Sequence, residues 1–133
     1  MILVDTNVLL RVILDDDVKQ SQQAAAFIDR AKVKDRDLVV PQVVLAEVAW
    51  VLEDKGWERE DVAGALREVC TDERLTVRES ETFIAATRIY AKHNVSMVDA
   101  YQAALAAEGG WLGIASFDRD FEKLGVKRID PST

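Results

Sequence analysis

The chain has 133 residues, 49% of them hydrophobic, and a formal net charge of −7 from 17 basic and 24 acidic side chains. That length favours a single domain over residues 1–133 that buries roughly 68–70% of its unfolded surface, and the composition excludes disordered, collagen-like and low-complexity classes. One cysteine, Cys70, and one histidine, His93, exclude a disulfide framework, a zinc knuckle and a His-rich metal centre, so any metal site must use oxygen ligands.

In chain order, short apolar runs alternate with helical periods. Ile2-Leu3-Val4 reads as a buried strand ending at Asp5. A helix over about 7–14 follows, stopped by Asp15-Asp16-Asp17, and another over 19–31. Leu38-Val39-Val40 is a second strand, ended by Pro41. Helices over 43–55 and 58–70 come next, the first closed by Gly56. Leu75-Thr76-Val77 reads as a strand, Ser80 as the cap of a helix to about His93, and 97–108 as a helix stopped by Gly109-Gly110. A strand over 111–115, a short helix over 120–124 and a strand over 126–129 complete the chain. Strands separated by helices imply crossover connections. The expected fold is α/β: a three-layer α/β/α sandwich around a central, mostly parallel sheet. Continuous apolar strands agree with burial on both faces.

Ligands of such sheets bind beyond the carboxyl ends of the strands. That position selects Asp5 after the first strand and Asp118 just past the strand over 111–115. Either acid can also serve as a helix cap. Glu47 shares a helix face with Val43, Val44, Trp50 and Val51; a carboxylate buried on such a face must be paired with a lysine or arginine or bind a cation, and the alternative is a glutamate at the helix rim. Ser96-Met97-Val98-Asp99 fits a capping box, and a first-turn carboxylate can cap and face a cleft at once. Asp120 reads as a solvated first-turn acid, Asp15-Asp16-Asp17 as an exposed loop, His93 as a partner of a helix C-terminus and Cys70 as core.

Asp5, Glu47, Asp99 and Asp118 together place four acids on one rim. Four carboxylates share a pocket only where cations neutralise them. Hard divalent ions such as Mg²⁺ or Mn²⁺ take oxygen ligands and suit phosphoryl chemistry. No G-x-x-x-x-G-K or G-x-G-x-x-G loop is present, and a nucleophilic triad would rest on His93 alone.

Val4-Asp5-Thr6-Asn7, the mid-chain Glu47, Ser96-x-x-Asp99-Ala100 and Ser116-Phe117-Asp118-Arg119-Asp120-Phe121 together resemble the PIN-domain nucleases. The length and the acid at residue 5 look most like the VapC-type toxins of type II toxin–antitoxin pairs. The resemblance covers the whole chain and implies a Mg²⁺-dependent endoribonuclease, with Mn²⁺ as substitute, usually dimeric and inhibited by a protein antitoxin. Carried over by motif, the catalytic acids are Asp5, Glu47, Asp99 and Asp118. Asp5 and Asp99 would hold the principal ion, Asp118 would help hold it or a second one, and Glu47 would orient or activate the attacking water. Thr6, Asn7 and Ser116 match supporting polar positions, Ser116 standing where many relatives have threonine, and Asp120 matches a position that is often acidic.

Two other classes remain at this stage: an acidic receiver-type signalling module with a Mg²⁺ pocket, and a PIN protein acting without an antitoxin or without catalysis. A receiver needs an acidic pair after its first strand and a lysine after a late one; here Asp5 has no acidic neighbour and the late strand delivers Asp118. A D-x-D phosphatase fails because Asn7 occupies the second acid's place. Net charge −7 argues against a protein that coats nucleic acid passively. The single thiol fits a cytoplasmic setting, and the apolar start, ended by Asp5, is too short for a leader or a membrane span.

Overall fold

The computed structural model describes residues 1–133 as seven helices and four two-residue strands. β1 (Ile2–Leu3) leads into α1 (Thr6–Leu14) and α2 (Val18–Val33), then β2 (Leu38–Val39). Four helices follow: α3 (Gln42–Asp54), α4 (Arg59–Thr71), α5 (Ser80–Lys92) and α6 (Met97–Ala107). β3 (Ile114–Ala115), α7 (Asp120–Lys123) and β4 (Arg128–Ile129) close the chain.

The core lies between the helices and the first strand pair. Val4, Leu38 and Val40 pack with Leu9, Leu45, Val48, Leu52, Leu66, Phe83 and Tyr90 in one cluster. α5 packs closely against both α4 and α6. Small residues on α6, Ala100, Ala103 and Ala104, are all buried and let the helix sit close.

The acidic run after α1 divides into three local tasks. Asp15 takes the left-handed conformation at the end of α1, Asp16 pairs with Arg11 at 3.3 Å, and Asp17 accepts from the Gln20 N–H to cap α2. The side chain of buried Ser21 donates to the Arg11 carbonyl and ties the two helices together.

All strand pairing is parallel, as expected, but in two separate pairs. β1 pairs with β2, Ile2 opposite Leu38, and β3 pairs with β4, Ile114 opposite Arg128. The segment expected as a strand over 75–77 is reduced to a single bridge from Thr76 to Val39, its amide and carbonyl bonded to Leu38 and Val40. No strand pairs with the outer edge of β1, where Leu3 is 75% exposed. The single central sheet expected from sequence is therefore not what the hydrogen bonds form. Two-residue strands supply few ladder bonds, so each pair is held by what packs on it. Trp111 and Leu112, expected in the strand over 111–115, are exposed and unpaired. Gly109 and Gly110, at positive φ, turn the chain there, and Gly113 lies so close to β4 that a Cβ would meet the Lys127 carbonyl oxygen at 2.5 Å.

Candidate active site

Asp5 follows β1 and stands at the N-cap position of α1, yet its side chain makes no capping hydrogen bond. Its carboxylate is exposed and free of a local partner. Beside it, Thr6 is buried, and its Oγ1 has no hydrogen-bond partner. A buried hydroxyl without a partner carries an unrecovered desolvation cost, which points to a ligand or water shell at this spot. Asn7 turns elsewhere, into a cleft between α1 and α2 lined also by Arg11, Gln20, Gln23 and Phe27.

Asp99 lies in the first turn of α6. The Ser96 hydroxyl accepts its N–H at 3.0 Å, so the capping reading holds. The carboxyl has a second role to play: burial, then the charges of Asp118 and Asp120, hold its pKa above the ordinary carboxylate value, while Ser96 acts the other way. α6 packs against β3, which puts the loop carrying Asp118 and Asp120 within electrostatic reach of Asp99. That loop is tightly organised. The Ser116 hydroxyl accepts from the Asp118 N–H, and Asp118 Oδ1 accepts from the Asp120 N–H at 2.8 Å. Asp120 also pairs with Lys123 at 3.4 Å. Arg128, its side chain only 9% exposed, donates to the Ser116 carbonyl and pairs with Glu122 and Asp130. Arg128 was not singled out in the sequence; its one signal was a charged residue inside the run Val126–Ile129.

Glu47 requires a correction. It is exposed on α3, between Val43 and Trp50, which are 74% and 66% exposed. The face of α3 turned to the core carries Val44, Leu45, Val48, Ala49 and Leu52. α3 has apolar residues on more than one face, so spacing alone selected the wrong one as interior. Ser80 is likewise the first residue of α5 rather than its cap, which is Glu79 at φ 54.

Asp99, Asp118 and Asp120 thus form one acidic locus, while Asp5 with Thr6, and Glu47, belong to other elements. Nowhere do three acids, histidines or cysteines close around a single point. The donor chemistry nevertheless suits a hard divalent cation: a partly buried carboxylate, Asp99, set against the charges of Asp118 and Asp120, and an orphan hydroxyl beside a free carboxylate. The residues given structural readings behave accordingly. Cys70 is half-buried, its thiol pushed up to about 11 by burial, and His93 is exposed at the end of α5. The largest cavity, about 750 Å³ beside α4 and lined by Leu9, Ile13 and Trp57 among others, touches none of the four acids.

This arrangement of crossover helices, parallel strands and acids after strands defines a small α/β domain with an oxygen-donor locus. The chain belongs to the PIN-domain family, whose domain matches residues 2–127. It is 30% identical over 132 residues to the VapC ribonuclease of Aquifex aeolicus (strain VF5), covering 98% of this chain and 97% of that protein. No solved structure matches it. No helix is long and apolar enough to cross a membrane.

Proposed function

We propose that this chain is a metal-dependent endoribonuclease, the toxin of a type II toxin–antitoxin pair. The observation that carries the reading is Asp99, partly buried at the start of α6 and pressed by the charges of Asp118 and Asp120. Carboxylates are placed at such electrostatic disadvantage where a cation is to be held. Likeness over nearly the whole length to a protein named a VapC ribonuclease supports the reaction class.

Asp5, Asp99 and Asp118 are the proposed metal ligands, with Mg²⁺, or Mn²⁺ in its place, as the ion. The ion supplies Lewis acidity: it lowers the pKa of water and neutralises charge on the phosphate. Asp99 is held in its helix turn by Ser96, and Asp118 in its loop by Ser116 and Arg128. Thr6, next to Asp5, would add its unpartnered Oγ1 to the donor set, and Asp120 adds negative charge near Asp99. Glu47, exposed and without an ion-pair partner of its own, is the group to accept or orient the proton of the attacking water. We assign the two strand pairs to one central sheet, β1 beside β3, with helices on both faces; the unpaired outer edges of β1 and β3 support that join and would bring Asp5 toward Asp118.

Net charge −7 gives no broad electrostatic hold on RNA, so local cations and the metal supply it. The same acids suit an Arg or Lys from a cytoplasmic antitoxin, which would compete with the ion. A second copy of the chain is the expected partner in solution; a monomeric mass by light scattering would remove it. RNA cleavage should require Mg²⁺ or Mn²⁺ and stop in EDTA. Undiminished cleavage by purified protein in EDTA overturns the metal-dependent reading.

A further inference from the structure

We propose that Arg59 is a positioning residue that fixes the start of α6 and, through it, the carboxylate of Asp99. This rests on the proposed metal site. Arg59 is the first residue of α4, remote in sequence from every acid of that site. Its Nε donates to the Tyr90 carbonyl at 2.8 Å, and its Nη2 donates to the Val95 carbonyl. Its Nη1 lies 3.8 Å from Glu53 Oε1, and its guanidinium carbon sits 4.0 Å from the centre of the Tyr90 ring. The Tyr90 hydroxyl donates to the same Glu53 oxygen, which closes the group.

The two carbonyls are the informative contacts. Tyr90 lies in the last turn of α5, where carbonyls lack helical partners. Val95 directly precedes Ser96, the cap of α6, and Asp99 follows three residues later. One planar guanidinium therefore clasps both ends of the connection from α5 to α6. His93, Asn94 and Val95 of that connection share a cleft of about 250 Å³ with Asp120, Lys123 and Leu124, so the clasp lies beside the acidic locus. Only a guanidinium can serve two carbonyls, a carboxylate and an aromatic face at once; an ammonium is a single point of charge. Beyond its first turn α6 is anchored apart from Arg59, by Ala103 and Ala104 in the core. Loss of Arg59 should free the direction of the first turn without unfolding the helix. Small displacements of a positioned group can cost on the order of 100-fold in rate.

The test compares Arg59→Met and Arg59→Lys with Arg74→Met in the full-length protein. Arg74 also makes several bonds, to Asp72 and Asp29, but holds no element of the acidic locus. Amide hydrogen exchange without metal reads the positioning directly. Arg59→Met should speed exchange at Asp99 and Ala100 about 10-fold while Ala103 and Ala104 stay protected. Calorimetric titration with Mn²⁺ alone should show about 10-fold weaker binding. Cleavage of an RNA oligonucleotide should lose about 100-fold in kcat with KM within about 3-fold. Arg59→Lys, which keeps the charge and the stem, should recover only part of each; Arg74→Met should leave all three at wild-type values. Unchanged exchange at Asp99 and Ala100 in both Arg59 variants overturns the positioning role, as does an equal loss of Mn²⁺ affinity in Arg74→Met. Faster exchange in a protein whose wild type neither binds Mn²⁺ nor cleaves RNA keeps Arg59 as the clasp of α6 and overturns the nuclease reading instead.

Discussion

The two strand pairs are alike in length and direction and opposite in what holds them. β1 and β2 form a wall of the core: Leu38 is fully buried, and Val39, Val40 and Val4 are nearly so. β3 and β4 form an outer bracket: Ala115 is exposed, Ile129 is 38% exposed, and the buried side chain is the charged Arg128. Asp5 is therefore delivered by hydrophobic burial, whereas Asp118 is delivered by hydrogen bonds and ion pairs. The proposed site would therefore draw its acids from parts with different physical sensitivities. Burial of the first part responds to lost methylene groups; the second responds to charge, pH and salt.

The largest effect should come from the acids themselves. Asp99→Asn and Asp118→Asn are each expected to lower RNA cleavage on the order of 10²–10³-fold, the range for removing one group that manages transition-state charge. Because Asp118 presses on Asp99, removing either charge should also stabilise the protein in EDTA. Solvent screening limits this to roughly 0.5–1 kcal/mol, or about 2–5 °C in melting temperature. Added Mg²⁺ should then stabilise the wild type more than either variant. An identical Mg²⁺ response in Asp118→Asn and wild type would take Asp118 out of the metal site.

Leu38→Ala and Ile129→Ala measure the contrast between wall and bracket. The first truncates a fully buried side chain and should cost about 2–5 kcal/mol in urea unfolding. The second should cost less than about 1 kcal/mol, since much of its side chain already meets water. Equal costs would mean that both strand pairs are core.

Arg128→Met attacks the bracket through its charge. Its partners Glu122 and Asp130 can both reach solvent, so the stability loss should stay near 1 kcal/mol. Cleavage should nevertheless fall about 10-fold, because the Ser116 carbonyl loses its donor and the Asp118 loop its brace. Unchanged activity would show that the loop holds its own shape.

The smallest effects are pH slopes of opposite sign. Asp99 has a raised native pKa, so the native state binds its proton more tightly than the unfolded chain does. Its contribution in EDTA is lost as pH rises through that raised value. Asp72 has a lowered pKa, held down first by its hydrogen bond to Arg74. Its contribution is present above the ordinary carboxylate range and lost as pH falls through the lowered native value. Urea midpoints of Asp99→Asn and Asp72→Asn from acid to neutral pH should depart from wild type in opposite directions.

Much of this molecule follows from local sequence. Six of the seven helices run longer than two turns and carry periodic apolar faces, and they lie within one to three residues of their expected bounds. Ser96 caps α6 as its spacing requires, and the four motif acids stand where strands end or helices begin, apart from Glu47 in mid-helix. Those features depend on neighbours a few residues apart, and such information is written directly in the chain. Which face of α3 meets the core was not, because α3 has apolar residues on more than one face and only packing chooses between them. The strands were legible as apolar runs but not in their length or partners, since pairing depends on segments dozens of residues away and on the close approach at Gly113. The arginines were invisible for the same reason. Arg59 and Arg128 read as surface charges until the fold brings carbonyls from distant turns within reach of their guanidinium groups, and a long-range hydrogen bond leaves no mark in local spacing.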